Sequence, residues 1–144
     1  MQTDYCRYLI DAIAQLKQGK DGKQCNALGN DAASRLKDQT LIIGINQTDR
    51  YGRPVFGEYW SPEGLEAGLR AGVKKDLQAA DYVRGVIAIA PNAFFSTENV
   101  FVTVAHEEAH AVFGLSDQTE EEANEGLISP AEAMAQACLY YNHH

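Results

Sequence analysis

Two histidines and a glutamate in His106-Glu107-Glu108-Ala109-His110 have the residue types and the spacing of a zinc site. On a helix, residues four apart lie one turn above each other, so both imidazoles can reach one cation. Zinc suits this pair because it binds imidazole nitrogens tetrahedrally and leaves room for a third protein ligand and a water. Glu107 lies beside the pair, where it would take a proton from the activated water and pass it to the leaving amine. The motif therefore predicts zinc-dependent hydrolysis of a peptide bond.

The acidic stretch after this motif supplies candidates for a third ligand. Five carboxylates fall within nine residues: Asp117, Glu120, Glu121, Glu122 and Glu125. Most charge runs are solvated surface, but carboxylates crowded together repel one another unless a cation offsets their charge. Charge alone does not choose among the five.

The segments 106–110 and Glu120-Glu121-Glu122-Ala123-Asn124 resemble the gluzincin-type zinc metallopeptidases, in particular the ImmA/IrrE-like group. The resemblance covers about residues 85–126, and it implies that His106 and His110 are zinc ligands and Glu107 is the general base. It also implies that Glu120 is the third ligand and that Asn124 orients a ligand histidine through a hydrogen bond. In such folds a strand corresponding to residues 86–90 borders the substrate cleft, and we expect it to be an edge strand that aligns the substrate.

Asp117 is the competing third ligand. The segment from His110 through Gly114 to Asp117 is similar to the H-x-x-G-x-x-[HD] pattern of the metzincins, in which a glycine turn brings the third ligand back to the metal. The segment is one residue longer than that pattern.

Local sequence signals predict the elements that position the motif. Helical periodicity runs over residues 4–17, a second helix over about 30–37, and strands over 41–45 and 55–60 that form a hairpin. Ser61-Pro62 opens a helix to about residue 80, a strand follows at 86–90, and further helices span about 99–114, 120–126 and 130–141. The helix of residues 99–114 is apolar on two sides, so we expect it to be central. Glu108 lies on one of these apolar sides, so it is either exposed at the edge or paired with Arg7, Arg70 or Arg84.

These elements predict one small α+β domain over residues 1–144, and the resemblance to the gluzincin-type peptidases implies that its fold is zincin-like. Residues 1–38 form an N-terminal helical part, and residues 39–144 hold the sheet and the catalytic helices. The three cysteines, Cys6, Cys25 and Cys138, have no metal-type spacing. Their odd number favours reduced thiols, with a Cys6–Cys25 disulfide as the alternative.

Charge and hydropathy restrict the classes of partner that the sequence predicts for this protein. All twelve Lys and Arg lie within residues 1–84, whereas residues 85–144 carry nine acidic and no basic side chains. This distribution excludes nucleic acid as an expected partner, and no apolar run is long enough to cross a membrane. The first residues have no signal-like leader, so we expect a cytoplasmic protein or the C-terminal part of a larger, delivered polypeptide. The expected substrate is a protein or peptide.

Related catalytic domains act as regulators that cleave a repressor or as toxin domains, and the toxin resemblance adds an inhibitor or immunity protein as a partner. Two other interpretations stay open: a zinc-stabilised binding or regulatory module without turnover, and a metal-free interaction domain with a chance motif. Tyr140, Tyr141 or His143 would stabilise the oxyanion or serve only in packing. His143-His144 are either native or a remnant of a purification tag.

Overall fold

The computed structural model describes residues 3–19, 22–65 and 76–143, and its helices and small sheets form the α+β arrangement that the sequence predicts. The helices are α1 (Thr3–Lys17), α2 (Lys23–Asp38), α3 (Ala79–Arg84), α4 (Thr97–Phe113), α5 (Glu120–Asn124) and α6 (Pro130–His143). The strands are β1 (Leu41–Ile43), β2 (Gln47–Thr48), β3 (Pro54–Val55), β4 (Gly57–Trp60) and β5 (Val86–Ile89). Single 3-10 turns lie at Pro62–Gly64 and Pro91–Ala93.

Helices α1 and α2 pack against each other, and α2 begins earlier than its weak periodicity predicts. Gly29 lies inside α2, where glycine is unfavourable to a helix. A Cβ at this position would lie 2.7 Å from the backbone nitrogen of Lys17, so the missing side chain permits the close approach of the two helices. Packing against α1 therefore outweighs local propensity in setting the length of α2.

The main sheet has the order β1–β5–β4, and β2 pairs with β3 in a separate hairpin. The predicted hairpin of strands 41–45 and 55–60 is therefore wrong: β5 inserts between them, parallel to β1 and antiparallel to β4. The expectation that residues 86–90 form an edge strand is also wrong, because β5 is central and all four of its residues are buried. Its continuous apolar sequence is the pattern of a strand buried on both faces. The edge strand antiparallel to β5 is β4.

Helix α4 is the central helix, as its two apolar sides predict. It packs against α1, α2, α6 and β4, and eight of its residues are buried. Ser96 caps its start by accepting a hydrogen bond from the Asn99 backbone N–H at 3.0 Å, and Gly114 ends it in the left-handed conformation at φ 64°. The predicted helix from Ser61 begins with the 3-10 turn, and its continuation over residues 66–75 lies outside the described residues.

Cys25 and Cys138 form a disulfide that joins α2 to α6. This pairing corrects both the expectation of reduced thiols and the Cys6–Cys25 alternative. The two half-cystines are 113 residues apart and meet because α2 and α6 both pack against α4. Sequence spacing does not carry that information.

Glu108 is fully buried, and its neighbour is an arginine that the sequence does not single out. Arg35 Nε of α2 lies 3.7 Å from Glu108 Oε1. Of the expected partners, Arg7 pairs with Asp4, Arg84 pairs with Asp31 and Asp38, and Arg70 lies outside the described residues.

No helix in the described ranges combines the length and the apolar character needed to cross a membrane.

Candidate metal centre

Helix α4 presents His106, Glu107 and His110 towards strand β4. Gly57 of β4 permits this contact, because a Cβ at that position would lie 2.9 Å from Thr103 Cγ2 and 3.1 Å from Glu107 Cγ. The backbone of β4 can thus lie directly against the face of α4 that carries the motif. Both histidines are partly exposed, whereas Glu107 is buried at 6% relative exposure.

Asp117 joins the two histidines in a group that could hold a metal ion. One ligand atom from each of the three residues lies within 4.8 Å of the others. Each histidine Nε2 is 3.6 Å from an Asp117 oxygen, His106 from Oδ1 and His110 from Oδ2. The left-handed turn at Gly114 reverses the chain after α4 and brings Asp117 back over the helix. Two imidazoles and one carboxylate form a common ligand set for catalytic zinc.

The other nitrogen of each imidazole is already engaged, which leaves Nε2 for a metal. His106 Nδ1 lies 2.8 Å from Glu132 Oε1 of α6. His110 Nδ1 lies 2.6 Å from the Leu115 carbonyl oxygen, which can only accept, so this nitrogen carries the proton. Metal-bound histidines in proteins almost always donate their second N–H to a carboxylate or a carbonyl in this way.

Glu132 contacts the candidate site, and the sequence did not single it out. Ser129-Pro130-Ala131-Glu132 predicts a helix start, and Ser129 Oγ does accept the Glu132 backbone N–H at 3.0 Å. The carboxylate itself points to His106, and Gln136 Nε2 donates to its second oxygen at 2.7 Å. A carboxylate in the first turn of a helix is a normal capping feature. No local signal in the sequence therefore distinguishes a capping role for Glu132 from its contact with His106.

Burial and nearby charged groups shift the pKa values of His106, Glu107 and Asp117. Burial opposes protonation of His106, but the carboxylates of Asp117 and Glu132 outweigh it and raise its pKa to about 10. The pKa of Asp117 is lowered, because the two histidines outweigh the effect of its burial. Burial raises the pKa of Glu107 to about 7. The carboxylates therefore favour positive charge at the two histidines. Without a metal ion the histidines carry this charge as protons, and a bound metal ion would displace those protons.

Glu120 lies apart from this group. Its carboxylate pairs with Arg50, with Oε2 3.2 Å from Nε, and Arg53 donates to its carbonyl oxygen at 3.0 Å. Arg50 also pairs with Glu121. Asn124 is exposed, and among the described residues no hydrogen bond joins it to either histidine. The structure thus brings Asp117, the competing candidate, to the histidines instead of Glu120.

The tyrosines expected near an oxyanion also lie elsewhere. Tyr140 and Tyr141 are 58% and 42% exposed, their rings contact each other at 5.9 Å, and neither lines the cleft. The side chains of His143 and His144 lie outside the described residues.

The His106–His110–Asp117 group lies where two parts of a cleft meet. On the His106 side, a space of about 710 Å³ is bounded by the turn between β2 and β3, the start of α4, α5 and α6. On the His110 side, a space of about 520 Å³ runs along β4 and past Gly114. Glu107 and Asp117 line both parts, so an extended ligand crossing the cleft would pass over the group.

Comparison of the chain with protein-family models, curated proteins and solved structures finds no significant match.

Proposed function

We propose that this protein is a zinc-dependent peptidase whose metal ligands are His106, His110 and Asp117. The convergence of the two Nε2 atoms and the Asp117 carboxylate carries the proposal. The ligand set fits zinc, since both Nδ1 atoms are held by acceptors and both Nε2 atoms face the same space. Zinc bound there would supply an acidified water and polarise the substrate carbonyl.

Glu107 is the general base and then the general acid. Its carboxyl group lines both parts of the cleft beside the ligands, and burial brings its pKa to about 7. A group with a pKa near the working pH can accept a proton from water and return it to the leaving amine. Glu132 holds the His106 ring, and the Leu115 carbonyl holds the His110 ring.

Strand β4 aligns the substrate. It is an edge strand among the described strands, and Gly57, Glu58 and Tyr59 line the His110 side of the cleft. An extended peptide can add to such an edge through backbone hydrogen bonds. This assigns to β4 the role that the sequence analysis expected for residues 86–90.

Glu107→Gln tests the reaction, and Glu108→Gln is its matched control. Both substitutions replace a buried glutamate of α4 by its neutral isostere. We expect Glu107→Gln to bind zinc by elemental analysis and to lose peptide hydrolysis in a mass-spectrometric assay, whereas Glu108→Gln retains both. Zinc binding with no hydrolysis by the wild-type protein would favour a zinc-stabilised binding module. Absence of zinc after reconstitution would contradict the whole proposal.

Asp117→Ala and Glu120→Ala test the third ligand. Loss of a ligand is expected to weaken zinc binding by more than the roughly 10–100-fold of an outer-shell partner. We expect that loss in Asp117→Ala and a change of less than about threefold in Glu120→Ala, whose side chain pairs with Arg50 instead. Competition with a zinc-binding dye measures both affinities. The reverse order would make Glu120 the ligand.

A further inference from the structure

The His106 side of the cleft carries an aromatic shelf, formed by Phe56 and Phe95. Their ring centroids are 5.7 Å apart, and Phe95 is 70% exposed although its chain neighbour Phe94 is buried. Both shelf residues line the cleft. Phe56 is half-buried and supports the exposed Phe95 ring. Such a pair of aromatic rings on the wall of a concave site supplies apolar contact area for a ligand. The shelf is suited to an aliphatic or aromatic portion of that ligand.

Glu98 lies on the same wall, three residues after Phe95, and no hydrogen bond or ion pair engages its carboxylate within the described part of the chain. Apart from the buried Glu107 and the proposed ligand Asp117, the other carboxylates of this wall are engaged. Asp49 pairs with Arg53, Glu120 with Arg50, and Glu132 with His106. Glu98 interacts favourably with the N-terminal dipole of α4, but that interaction leaves its oxygens open to a donor from the cleft.

Among the residues that the structure describes, no lysine or arginine pairs with this carboxylate. Residues 85–144 contain no lysine or arginine, so α4, α5 and α6 contribute none to the wall. Arg53 is a basic residue of the wall, and its Nε donates to Asp49 at 2.9 Å while Nη2 donates to the Glu120 carbonyl. The buried Glu107 carboxylate also faces this space, and no hydrogen bond engages it among the described residues.

We propose that the aromatic shelf and Glu98 form a subsite for a basic side chain, lysine or arginine, of the peptide substrate. The aliphatic stem of the side chain packs on Phe56 and Phe95, and its cationic end pairs with Glu98. Long basic side chains combine an apolar stem and a charged end in this way, and a cation near the shelf also gains from the aromatic faces. The assignment of the ligand as substrate rests on the proposed peptidase function, whereas the binding itself requires no turnover.

Binding to the 144-residue chain carrying Glu107→Gln, in the presence of zinc, tests the subsite without cleavage of the ligand. The ligands are three acetylated and amidated alanine pentapeptides whose central residue is lysine, norleucine or glutamate. Dissociation constants come from NMR titration, a method suited to weak binding by a 15.8 kDa protein. We expect the lysine peptide to bind about two- to fivefold tighter than the norleucine peptide, the range of a partly exposed ion pair, and the glutamate peptide to bind most weakly.

Three further substitutions, each added to the Glu107→Gln protein, test which residue causes the preference for lysine over norleucine. Glu98→Gln is expected to bring the lysine peptide to the affinity of the norleucine peptide, and Phe95→Ala to weaken both peptides alike. Glu125→Gln removes the same charge from an exposed residue outside the cleft, and we expect it to keep the lysine preference.

Four results would overturn the subsite: no measurable binding of the lysine peptide, equal affinity for lysine and norleucine, a preference that survives Glu98→Gln, or one lost equally in Glu125→Gln. A lysine preference that depends on Glu98, in a protein whose wild-type form cleaves no peptide, would support the subsite and contradict the peptidase proposal. Cleavage by the wild-type protein without a lysine preference would do the reverse.

Discussion

Two adjacent glutamates of α4, about 100° apart around the helix axis, are buried in contrasting surroundings. Glu107 faces the cleft, where its neighbours are two histidines and Asp117. Glu108 faces α2, where Arg35 Nε lies 3.7 Å away and Asp31 is close. Burial raises the pKa of both, to about 7 for Glu107 and to about 10 for Glu108, where the Asp31 carboxylate adds to the effect.

The contrasting surroundings of the two glutamates divide α4 into two faces. The anchoring face carries Glu108 and packs against α2, and the reactive face carries Glu107 and lines the cleft. On the anchoring face, Arg35 is almost fully buried and donates to Asp31 at 2.7 Å and to the carbonyls of Gly85 and Arg84 at 3.2 and 2.9 Å. These bonds tie α2 to the chain that enters β5, and Glu108 packs against them. On the reactive face no arginine or lysine is paired with Glu107 within the described residues, so its proton is available for exchange with a ligand. The anchoring face holds α4 against α2, whereas the reactive face carries the groups that we propose bind zinc.

Arg35→Ala is expected to have the largest effect on stability. It leaves two backbone carbonyls and the Asp31–Glu108 pair without their buried donor, and breaking a buried ion-paired network costs about 3–5 kcal/mol. Arg7→Ala is the control, since it removes an arginine whose ion pair with Asp4 is exposed and is expected to cost less than about 1 kcal/mol. Urea denaturation followed by circular dichroism measures both. Equal losses in the two variants would show that the buried cluster does not anchor α4.

Opening the Cys25–Cys138 disulfide affects both faces, because α2 carries the anchoring cluster and α6 carries Glu132. The double variant Cys25→Ser, Cys138→Ser is expected to lose about 2–5 kcal/mol, since the bond closes a long loop in the unfolded chain. Zinc affinity should fall as well, because α6 is then less restrained at the His106 ring. Cys6→Ser is the control, since Cys6 is not part of the disulfide. Unchanged stability on reduction of the wild-type protein would contradict this prediction.

Local signals made α4 and its motif predictable from the sequence. The cap at Ser96, the turn at Gly114 and the positions of His106 and His110 depend on residues within a few positions of each other. The strand order, the disulfide and the partner of Glu108 depend on which elements pack together, and β5 entered the sheet between strands that the sequence analysis had paired.

The position of Asp117 shows why the candidate metal site was only partly predictable from the sequence. Five carboxylates follow the motif, and the direction of the Gly114 turn brings Asp117 to the histidines. Arg50 and Arg53, on the turn between β2 and β3, hold Glu120 at the cleft wall instead. They lie 67 to 70 residues earlier in the chain, so no pattern near the motif could indicate them.

On the reactive face, Glu132→Gln tests whether the outer partner of His106 tunes the metal site. An amide still accepts from Nδ1 but lacks the charge that strengthens the imidazole as a ligand, so zinc affinity should fall by about 10–100-fold. Gln136→Ala, which removes the donor to the second Glu132 oxygen, should have a smaller effect. Dye competition measures zinc affinity, and thermal denaturation checks that both variants fold. An unchanged zinc affinity in Glu132→Gln would show that the Glu132–His106 contact contributes only to packing.

On the anchoring face, Asp31→Asn is expected to cost less stability than Arg35→Ala, by an amount that depends on pH. Burial opposes ionisation of Asp31, but the neighbouring Glu108 carboxyl group and the hydrogen bonds donated by Arg35 and Arg84 outweigh it and lower its pKa below 3.8. Because the pKa is lower in the folded state, the carboxylate stabilises the protein above pH 3.8, and this contribution is lost as the pH falls through the folded-state pKa. The variant should therefore lose about 1–3 kcal/mol at pH 7, and the difference should shrink as the pH falls below about 4. Urea denaturation from pH 7 to pH 3 measures it, with the exposed Asp4→Asn as control. If the stability lost in Asp31→Asn stays constant from pH 7 to pH 3, Asp31 contributes through packing. The anchoring face would then differ from the reactive face in shape but not in charge.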